Sequence, residues 1–407
     1  MRGSNLSDCR ESLLDEGITM HRNRPSLVLF AGILILVSPA LAAPPEPLVL
    51  GGDDSAEVLL LVPRQVEEGP DANLYVLDQG DATIKVYSPA GEFLRQLAGE
   101  GEGPGLIRRA DGATIGFRPD GTLYITEIFG GHRWLTILAP DGDLVDTLHL
   151  DLAADFGVEA AAPLTGGGFL VQIAYGPTPR PSGDYYLYDL PQALVRLDDQ
   201  GAVLTEIVRT DNAQMISFSP NGGTSNLPFT PTFAWAVQPD STIVWSDGMS
   251  PVLQVYDQTG KLVRDLATGL PAAEKVSEAE LETWQRNRRE QILDRNPDWW
   301  QRFGRVVEAY DHPLYDKPIF SSLSVTPAGH LLAEGSWQPG EEEITYWLLA
   351  PDGEVLATVA ARAAKLHLSA HYVLYLTADD EGTPLVHVLP RPQDDPAALA
   401  MAAAAAR

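Results

Sequence analysis

One stretch of the chain decides the fold: residues 69–97 read GPDANLYVLDQGDATIKVYSPAGEFLRQL. It contains a Pro-Asp turn, an apolar run that ends in an acid (74–78), a second apolar run (84–87), a glycine turn and a third run (93–97). Short runs rich in β-branched and aromatic residues, bounded by Gly, Pro and Asp, are typical of strands joined by tight turns. The stretch therefore predicts three consecutive antiparallel strands.

The same order of turns and strands recurs along the chain. Further copies occupy residues 119–148, 167–207, 239–266, 327–359 and 366–389, the last of them one strand short. Radial repetition of four-stranded blades is an established architecture for such repeats, because it leaves only short, protected edges. The sequence therefore predicts an all-β fold, a six-bladed β-propeller over residues 55–391.

The incomplete sixth copy raises the question of how the ring closes. The run 57–62 precedes the first copy and has no partner there. An open array of these units would expose edge strands, so we expect this run to pair with the sixth copy. Residues 392–407, which are rich in alanine, are expected to form a disordered tail.

The repeat, with the glycine-rich loop 99–105 after the first blade, resembles the six-bladed propellers of the NHL-repeat and TolB-like superfamily. The resemblance covers about residues 55–391 and implies the propeller fold. It implies no single activity, because this architecture hosts sensors, scaffolds, lyases and lactonases alike. The chain departs from the regular pattern in its third and sixth blades and in an insertion before the fifth.

The insertion, residues 274–310, breaks the strand pattern. Ser277 and Glu280 form a capping-box signature, and apolar residues follow at helical spacing. Asn296 and Pro297 then fit the cap and first position of a second helix. A helical hairpin between blades 4 and 5 is therefore predicted, and we expect it to cap one face of the propeller.

The N-terminal region, residues 1–42, has the pattern of a signal peptide: basic residues, an apolar run and an A-x-A sequence that ends at Ala42. The apolar run is too short for a membrane span, which needs about 20 residues. We therefore expect cleavage near Ala42 and Ala43, export to the periplasm or medium, and no stable membrane insertion. Residues 1–19 precede Met20, which offers a second translation start.

Charge and cysteine content exclude several classes of function. The chain has 28 Lys and Arg against 56 Asp and Glu, a net charge of −28, which makes nucleic acid a poor partner. Its one cysteine, Cys9, precedes the expected cleavage point. The mature chain therefore has no disulfide, thiolate metal site or cysteine nucleophile.

The two faces of a propeller differ in their connections. With strands a to d counted outward from the axis, the a–b and c–d turns lie on one face, here named the turn face, and the b–c and d–a loops lie on the other, the loop face. The long elements of this chain, which include 99–105, 175–188, 209–232 and 274–310, fall on the loop face. Insertions on one face of a repeat protein usually mark its binding side.

Four acids and the arginines of the insertion are the candidate site residues. The b strands end in Asp78, Glu127 and Asp247 at the same offset from the turn, and Glu334 lies one position out of register. A partial ring of carboxylates near the axis would suit Ca²⁺ or acid–base chemistry. Equally, each acid is suited to accept hydrogen bonds from its own loop. Arginines of the insertion suited to an anionic ligand include Arg288 and Arg302.

These features favour binding of a protein, glycan or small molecule over catalysis. The alternative is a channel-centred, calcium-dependent lactonase or hydrolase resembling the gluconolactonase group. Glu67-Glu68-Gly69-Pro70 is similar to that group's first metal-ligand motif, although Gly69 and Pro70 belong to the predicted strand turn. A zinc lyase would need a histidine cluster, and only His367 and His371 lie close together in the sequence.

Overall fold

The fold is taken from a computed structural model, which describes residues 47–51, 58–103, 105–108, 110–127, 134–152, 157–175, 178–182, 185–217, 224–226, 228–295, 297–298, 300–301, 304, 316–336, 342–362, 364–379 and 382–406. The predicted signal peptide, 1–42, lies outside these residues. Among the described residues, no helix combines the length and the apolar character that crossing a membrane requires.

Six antiparallel sheets follow one another along the chain and form the six predicted blades. The first strand, β1 (Leu48–Leu50), belongs to the last blade. Blade 1 comprises β2 (Pro63–Glu68), β3 (Leu74–Asp78), β4 (Thr83–Tyr87) and β5 (Phe93–Leu97). Blade 2 comprises β6 (Ala113–Phe117), β7 (Leu123–Glu127), β8 (Trp134–Leu138) and β9 (Leu144–His149).

The third blade is the largest. It comprises β10 (Gly157–Pro163), β11 (Phe169–Ala174), β12 (Thr178–Ser182), β13 (Tyr185–Leu197), β14 (Val203–Ser217) and β15 (Thr224–Asn226). Blade 4 comprises β16 (Ala234–Val237), β17 (Ile243–Ser246), β18 (Val252–Tyr256) and β19 (Leu262–Ala267). Blade 5 comprises β20 (Phe320–Val325), β21 (Leu331–Gly335), β22 (Ile344–Leu349) and β23 (Val355–Ala361). Blade 6 comprises β24 (Ala364–Leu368), β25 (Tyr372–Ala378) and β26 (Pro384–Pro390), with β1 as its outermost strand.

The core lies between blades. Four successive residues of β3, Leu74 to Leu77, are fully buried, and because neighbours on a strand point to opposite faces, both faces of the blade must be covered. Tyr75 and Leu77 pack against blade 2, whereas Leu74 and Val76 pack against blade 6. Blade 1 therefore contacts the second and the last blade, as a closed ring requires.

The ring is closed by a different strand from the one predicted. Leu48 and Leu50 of β1 pair with Val388 and Val386 of β26, so the prediction that 57–62 closes the ring is wrong. The described end of that run instead lies along blade 1, where Leu59, Leu61 and Val62 are 44–46% exposed. Its backbone is held by a buried carboxylate rather than by a neighbouring strand, as described below.

The C-terminal segment is ordered, which corrects the prediction of a disordered tail at 392–407. A helix, here α2 (Asp395–Ala405), begins where Asp394 accepts a hydrogen bond from the backbone N–H of Ala397, 3.2 Å away. Ala398 and Ala402 are fully buried against blades 5 and 6. Because alanine has the highest helix propensity and a small side chain, this sequence can lie close to a sheet. The propeller unit therefore extends beyond the predicted bounds 55–391 at both ends.

The loop face carries a β-hairpin that the sequence did not indicate. Strands β13 and β14 stay paired from Leu197, opposite Val203, to Tyr186, opposite Ser217. These two strands are longer than the other blade strands. The extra length is at the start of β13 and the end of β14, and both lie on the loop face. The stretches expected to be long loops there, 175–188 and 209–232, are therefore largely strands in their described parts.

The first helix of the insertion is present as α1 (Glu278–Arg295) between β19 and β20. Its capping box forms as predicted: the Ser277 N–H donates to Glu280 Oε2 at 2.8 Å, and the Glu280 N–H donates to Ser277 Oγ at 3.3 Å. Lys317 Nζ, 2.6 Å from Glu280 Oε1, ties the start of the helix to the segment that enters blade 5. The second predicted helix falls on residues of which only 297–298, 300–301 and 304 are described.

Candidate functional site

The inner strands of the six blades surround an axial channel, whose mouth on the turn face widens into a cavity of about 550 Å³. Residues from five blades meet in this one cavity, which places it on the propeller axis. Its lining includes Pro70, Phe117, Val237, Pro327, Ser369 and His371. The mouth therefore combines an apolar rim from blades 1, 2, 4 and 5 with a polar sector from blades 6 and 1.

A hydrogen-bonded group at the mouth joins blade 1 to blade 6. Glu68, the last residue of β2, accepts hydrogen bonds from Ser369 Oγ at 2.5 Å and from the His371 N–H at 2.9 Å, and the His371 Nδ1 atom lies 2.5 Å from its second oxygen. Burial raises the pKa of Glu68, but these bonds outweigh burial and hold the pKa below its ordinary value. Because Ser369 donates to the carboxylate and not to a histidine, the group lacks the nucleophile–base contact of a catalytic triad.

Near the loop face, the inner strands of blades 1 and 6 are both bulged. The pairing of β2 with β3 shifts register at Arg64, and the pairing of β24 with β25 shifts across Lys365 and Leu366. Lys365 also has a φ of 54°, in the left-handed region that non-glycine residues seldom adopt. A bulge re-aims a side chain away from the regular alternation of the strand. The two bulges place both cations at the seam where the ring closes.

The Lys365 ammonium is held between blades. Its Nζ donates to the backbone oxygen of Arg64 at 2.8 Å. Burial, and then the positive charge of Arg64, lower the pKa of Lys365 to about 8, while the charges of Glu334 and Glu67 act in the opposite direction. Although protein surrounds much of the side chain, Lys365 is exposed to solvent. Lys365 therefore titrates in a range where an ordinary lysine stays protonated.

Glu334, one of the predicted site residues, lies beside this lysine. It is on β21 of blade 5, opposite Ser322, whose Oγ donates to its carboxylate at 3.3 Å. Burial raises the pKa of Glu334, against the Ser322 bond and the charge of Lys365.

Glu67 continues the polar wall toward the turn face. It accepts a hydrogen bond from Gln65 Nε2 at 2.7 Å, and its second oxygen lies 3.6 Å from His367 Nε2. The Gln65 amide in turn bonds the N–H and the carbonyl oxygen of Ile115, at 3.0 and 2.9 Å, on the inner strand of blade 2. Blades 6, 1 and 2 thus present a row of polar groups fixed in position.

A second polar group lies between blades 3 and 4. Glu159, the bulged residue of β10, accepts hydrogen bonds from Gln172 Nε2 and Gln192 Nε2, both at 2.6 Å. The Gln172 oxygen accepts a bond from Trp235 Nε1 at 2.8 Å. Burial raises the pKa of Glu159, although both amide bonds lower it. The acid and its two amides connect the sheets of neighbouring blades.

The three acids in register each accept hydrogen bonds from a neighbouring segment of the chain. Asp78 is fully buried and accepts bonds from Lys85 Nζ at 2.6 Å and from the N–H groups of Leu61 and Val62, both at 2.8 Å. Glu127 accepts a bond from the Arg108 N–H at 2.6 Å, and Asp247 accepts one from the N–H of Met249 in its own loop at 3.0 Å. In this structure each acid holds a neighbouring loop.

The insertion arginines are only partly described. Arg288 on α1 is half-buried, and burial lowers its pKa, whereas Arg302 lies outside the described residues. A cavity of about 200 Å³ opens on the loop face between the start of the insertion and blade 5, lined by Lys317 and Trp347 among others. It is smaller than the cavity at the channel mouth.

The inner strands and the channel mouth carry polar groups of both charges. Within the ranges that the structure describes, no three or more His, Cys, Asp or Glu side chains are arranged to hold a metal ion. Glu68, His367 and His371 line the mouth on the turn face, and Arg64 and Lys365 lie toward the loop-face ends of the inner strands. Such groups fix the orientation of a small polar molecule.

Arg64 and Lys365 were not among the predicted site residues. Bulges leave no trace in the alternation of apolar and polar residues, so no signal in the sequence marks either cation. For Glu68 and His371 a signal existed, since both stand beside a predicted a–b turn. In the sequence, both residues resemble only parts of metal-ligand motifs. The contact between Glu68 and His371 forms because ring closure brings blades 1 and 6 together.

The sequence matches no family model, and no curated protein matches it. Solved structures similar to the chain include virginiamycin B lyase from Staphylococcus aureus (10% identity, TM-score 0.42, covering 84% of this chain and 98% of that one). They also include the calcium-binding protein regucalcin from Agrobacterium tumefaciens (13% identity, TM-score 0.41, covering 83% of this chain and 94% of that one). A DUF4221 family member from Bacteroides vulgatus is similar as well (12% identity, TM-score 0.42, covering 85% of this chain and 96% of that one). Similarity at this level carries no information on activity.

Proposed function

We propose that this protein is an exported binding protein that takes a small molecule into its axial channel through the mouth on the turn face. The observation that carries the proposal is the cavity of about 550 Å³ formed jointly by five blades. Its volume lies within the range of roughly 300–1,000 Å³ that is usual for small-molecule sites.

The lining supports a ligand with an apolar body and a polar end. Phe117, Val237 and Pro327 offer apolar surface on one side of the mouth, and Glu68 and His371 offer an acceptor and a titratable group on the other. Pockets of this type bind through apolar burial and use a few placed polar groups for orientation. A small molecule fits such a concave site better than a protein or a glycan chain, which usually engages a wider surface.

The experiment is a screen of small molecules by thermal shift, followed by a blocking variant. Ala370 is exposed and lines the cavity, so Ala370→Trp fills the mouth without touching a blade core. The matched control is Ala90→Trp, at an exposed c–d turn outside the cavity lining. We expect a hit to lose binding at least tenfold in Ala370→Trp and to keep it in Ala90→Trp. Equal binding by both variants would place the ligand elsewhere and refute the channel site.

Export is the second part of the proposal. It is supported by the basic, apolar and A-x-A segments that end at Ala42. N-terminal sequencing of the protein recovered outside the cytoplasm is expected to begin at or near Ala43. Recovery of an intact N-terminus in the membrane fraction would replace cleavage by anchoring.

A further inference from the structure

Arg64 and Lys365 are two neighbouring cations at the loop-face ends of the inner strands of blades 1 and 6. In the described part of the chain, neither side chain lies within 4.0 Å of a carboxylate oxygen, although the more distant charges of Glu334 and Glu67 act on Lys365. The chain has twice as many acids as bases, 56 against 28, so a base could readily have been paired. The charge of Arg64 disfavours protonation of Lys365, and an anion bound to both would relieve that repulsion.

The backbone at both positions is shaped to keep the cations together. Both residues lie in bulges of inner strands, on the two blades that meet at the ring closure. Lys365 holds a left-handed φ of 54°, a conformation that is unfavourable for a non-glycine residue. One ammonium proton is used on the Arg64 carbonyl, which leaves two N–H groups of Lys365 and the guanidinium of Arg64 for a ligand.

The acids that face this pair have other partners. Glu67 is bonded to Gln65 and faces His367, and Glu334 accepts a bond from Ser322. Burial raises the pKa of Glu334, against the Ser322 bond and the charge of Lys365. These acids therefore moderate the positive potential at the channel end without neutralising it.

We propose that Arg64 and Lys365 form a subsite for an oxyanion, so that the ligand of the channel carries a carboxylate or a phosphate group. The inference rests on the proposed function for the existence of that ligand and adds its charge. A guanidinium presents a planar fork that matches either oxyanion, and an ammonium adds a point charge. The subsite lies at the loop-face end of the channel, and the apolar mouth at the turn-face end.

The test uses the reactivity of Lys365, with inorganic phosphate and acetate as probes. Below its pKa, a lysine is protected from acylation, and a bound anion stabilises the protonated form. Full-length mature protein is acylated at pH 8, and the modification of each lysine is followed by mass spectrometry. We expect Lys365 to react up to about a hundredfold faster than Lys261, an exposed lysine of blade 4, because far more of it is deprotonated.

We expect phosphate, acetate or both to slow acylation of Lys365 and to leave Lys261 unchanged. The anion that protects better identifies the group as a phosphate or a carboxylate. In Arg64→Gln, the midpoint anion concentration should rise about tenfold, since one charged hydrogen-bonding partner is lost. Arg64→Lys should restore part of the protection, and Arg264→Gln, an exposed arginine of blade 4, should have no effect.

Two results would overturn the subsite: no protection by either anion, or equal protection in Arg64→Gln and the wild type. If Arg64→Gln also has a lower melting temperature, Arg64→Lys separates loss of stability from loss of anion binding, because it keeps the positive charge. The outcome is independent of the Ala370→Trp experiment, because inorganic anions are small enough to enter past a blocked mouth. If the anions give no protection but Ala370→Trp still abolishes ligand binding, the channel binds a neutral ligand and the oxyanion subsite is refuted. If the anions protect Lys365 but Ala370→Trp does not affect ligand binding, the anion site stands and the channel-mouth site is refuted.

Discussion

The buried pair of Asp78 and Lys85 offers the sharpest test of how the first blade is held. Both side chains are at most 2% exposed, and Nζ lies 2.6 Å from Asp78 Oδ2. One Asp78 oxygen accepts from Val62 and from Gly80, and the other from Leu61 and from Lys85. Asp78→Asn removes the charge and turns one of these oxygens into an amide donor.

The size of the effect follows from these contacts. With the amide oxygen placed toward Val62, the new NH₂ group faces the Leu61 N–H and the Lys85 ammonium, so two hydrogen bonds become contacts between donors. Breaking a buried ion pair typically costs about 3–5 kcal/mol. Lys85 keeps Asp81 at 2.7 Å and the Leu59 carbonyl at 2.7 Å, so we expect the lower end, about 3 kcal/mol.

The assay is urea denaturation at pH 7, followed by tryptophan fluorescence. Asp120→Asn, an exposed turn acid that accepts bonds from Thr122, is the matched control and should change stability much less. Adding Lys85→Met to Asp78→Asn should recover part of the loss, since no buried charge remains. A loss below about 1 kcal/mol for Asp78→Asn would refute the reasoning. Burial raises the pKa of Asp78, but its hydrogen bonds outweigh burial and hold the pKa below the ordinary value. The stabilisation by the Asp78 carboxylate should therefore be fully present above the ordinary pKa of an aspartate and fade as the pH falls through the folded-state pKa.

Two further predictions concern ring closure and the acid between blades 3 and 4. Leu50→Ala should lower the free energy of unfolding by about 2–4 kcal/mol, because Leu50 is 5% exposed in the closing strand. Val49→Ala is the control, and it should have little effect because Val49 is 41% exposed. Equal losses for the two variants in urea denaturation would contradict ring closure by β1. Glu159→Gln should raise stability at pH 7 but not at pH 4. Burial raises the pKa of Glu159, so the folded wild type binds more protons than the unfolded chain and loses stability as the pH rises from the unfolded pKa to the folded one. Glutamine does not titrate, so the variant does not lose this stability. A gain that is the same at both pH values would show that titration of Glu159 is not its source.

The blades could be predicted because their signals are local. Each strand such as 74–78 carries its own apolar residues, and each turn its own Gly, Pro or Asp, so period and turn chemistry agree. The closing strand could not be predicted in the same way. Leu48–Leu50 is only three residues long, and the apolar run 57–62 offered a stronger pattern, although Leu59, Leu61 and Val62 are largely exposed.

The two remaining differences have separate causes. For α2 a signal was present, since Asp394 precedes a proline in the first turn of an alanine-rich segment, but alanine richness at a chain end also suits disorder. For the channel cations no signal was present. Arg64 and Lys365 are 301 positions apart in the chain, and only the closed ring brings them together.

The pairing of Leu48 with Val388 also constrains the time at which the molecule can mature. During synthesis the first five blades emerge as consecutive hairpins, each able to form from neighbouring segments, whereas β1 must wait until nearly the whole chain has appeared. Contacts between such distant segments are slow to form because a long loop must close first. Until then the chain is an open arc that lacks both its final seam and the cation pair beside it. A nascent chain stalled before β26 should therefore remain sensitive to protease along 47–51 even where its middle blades already resist.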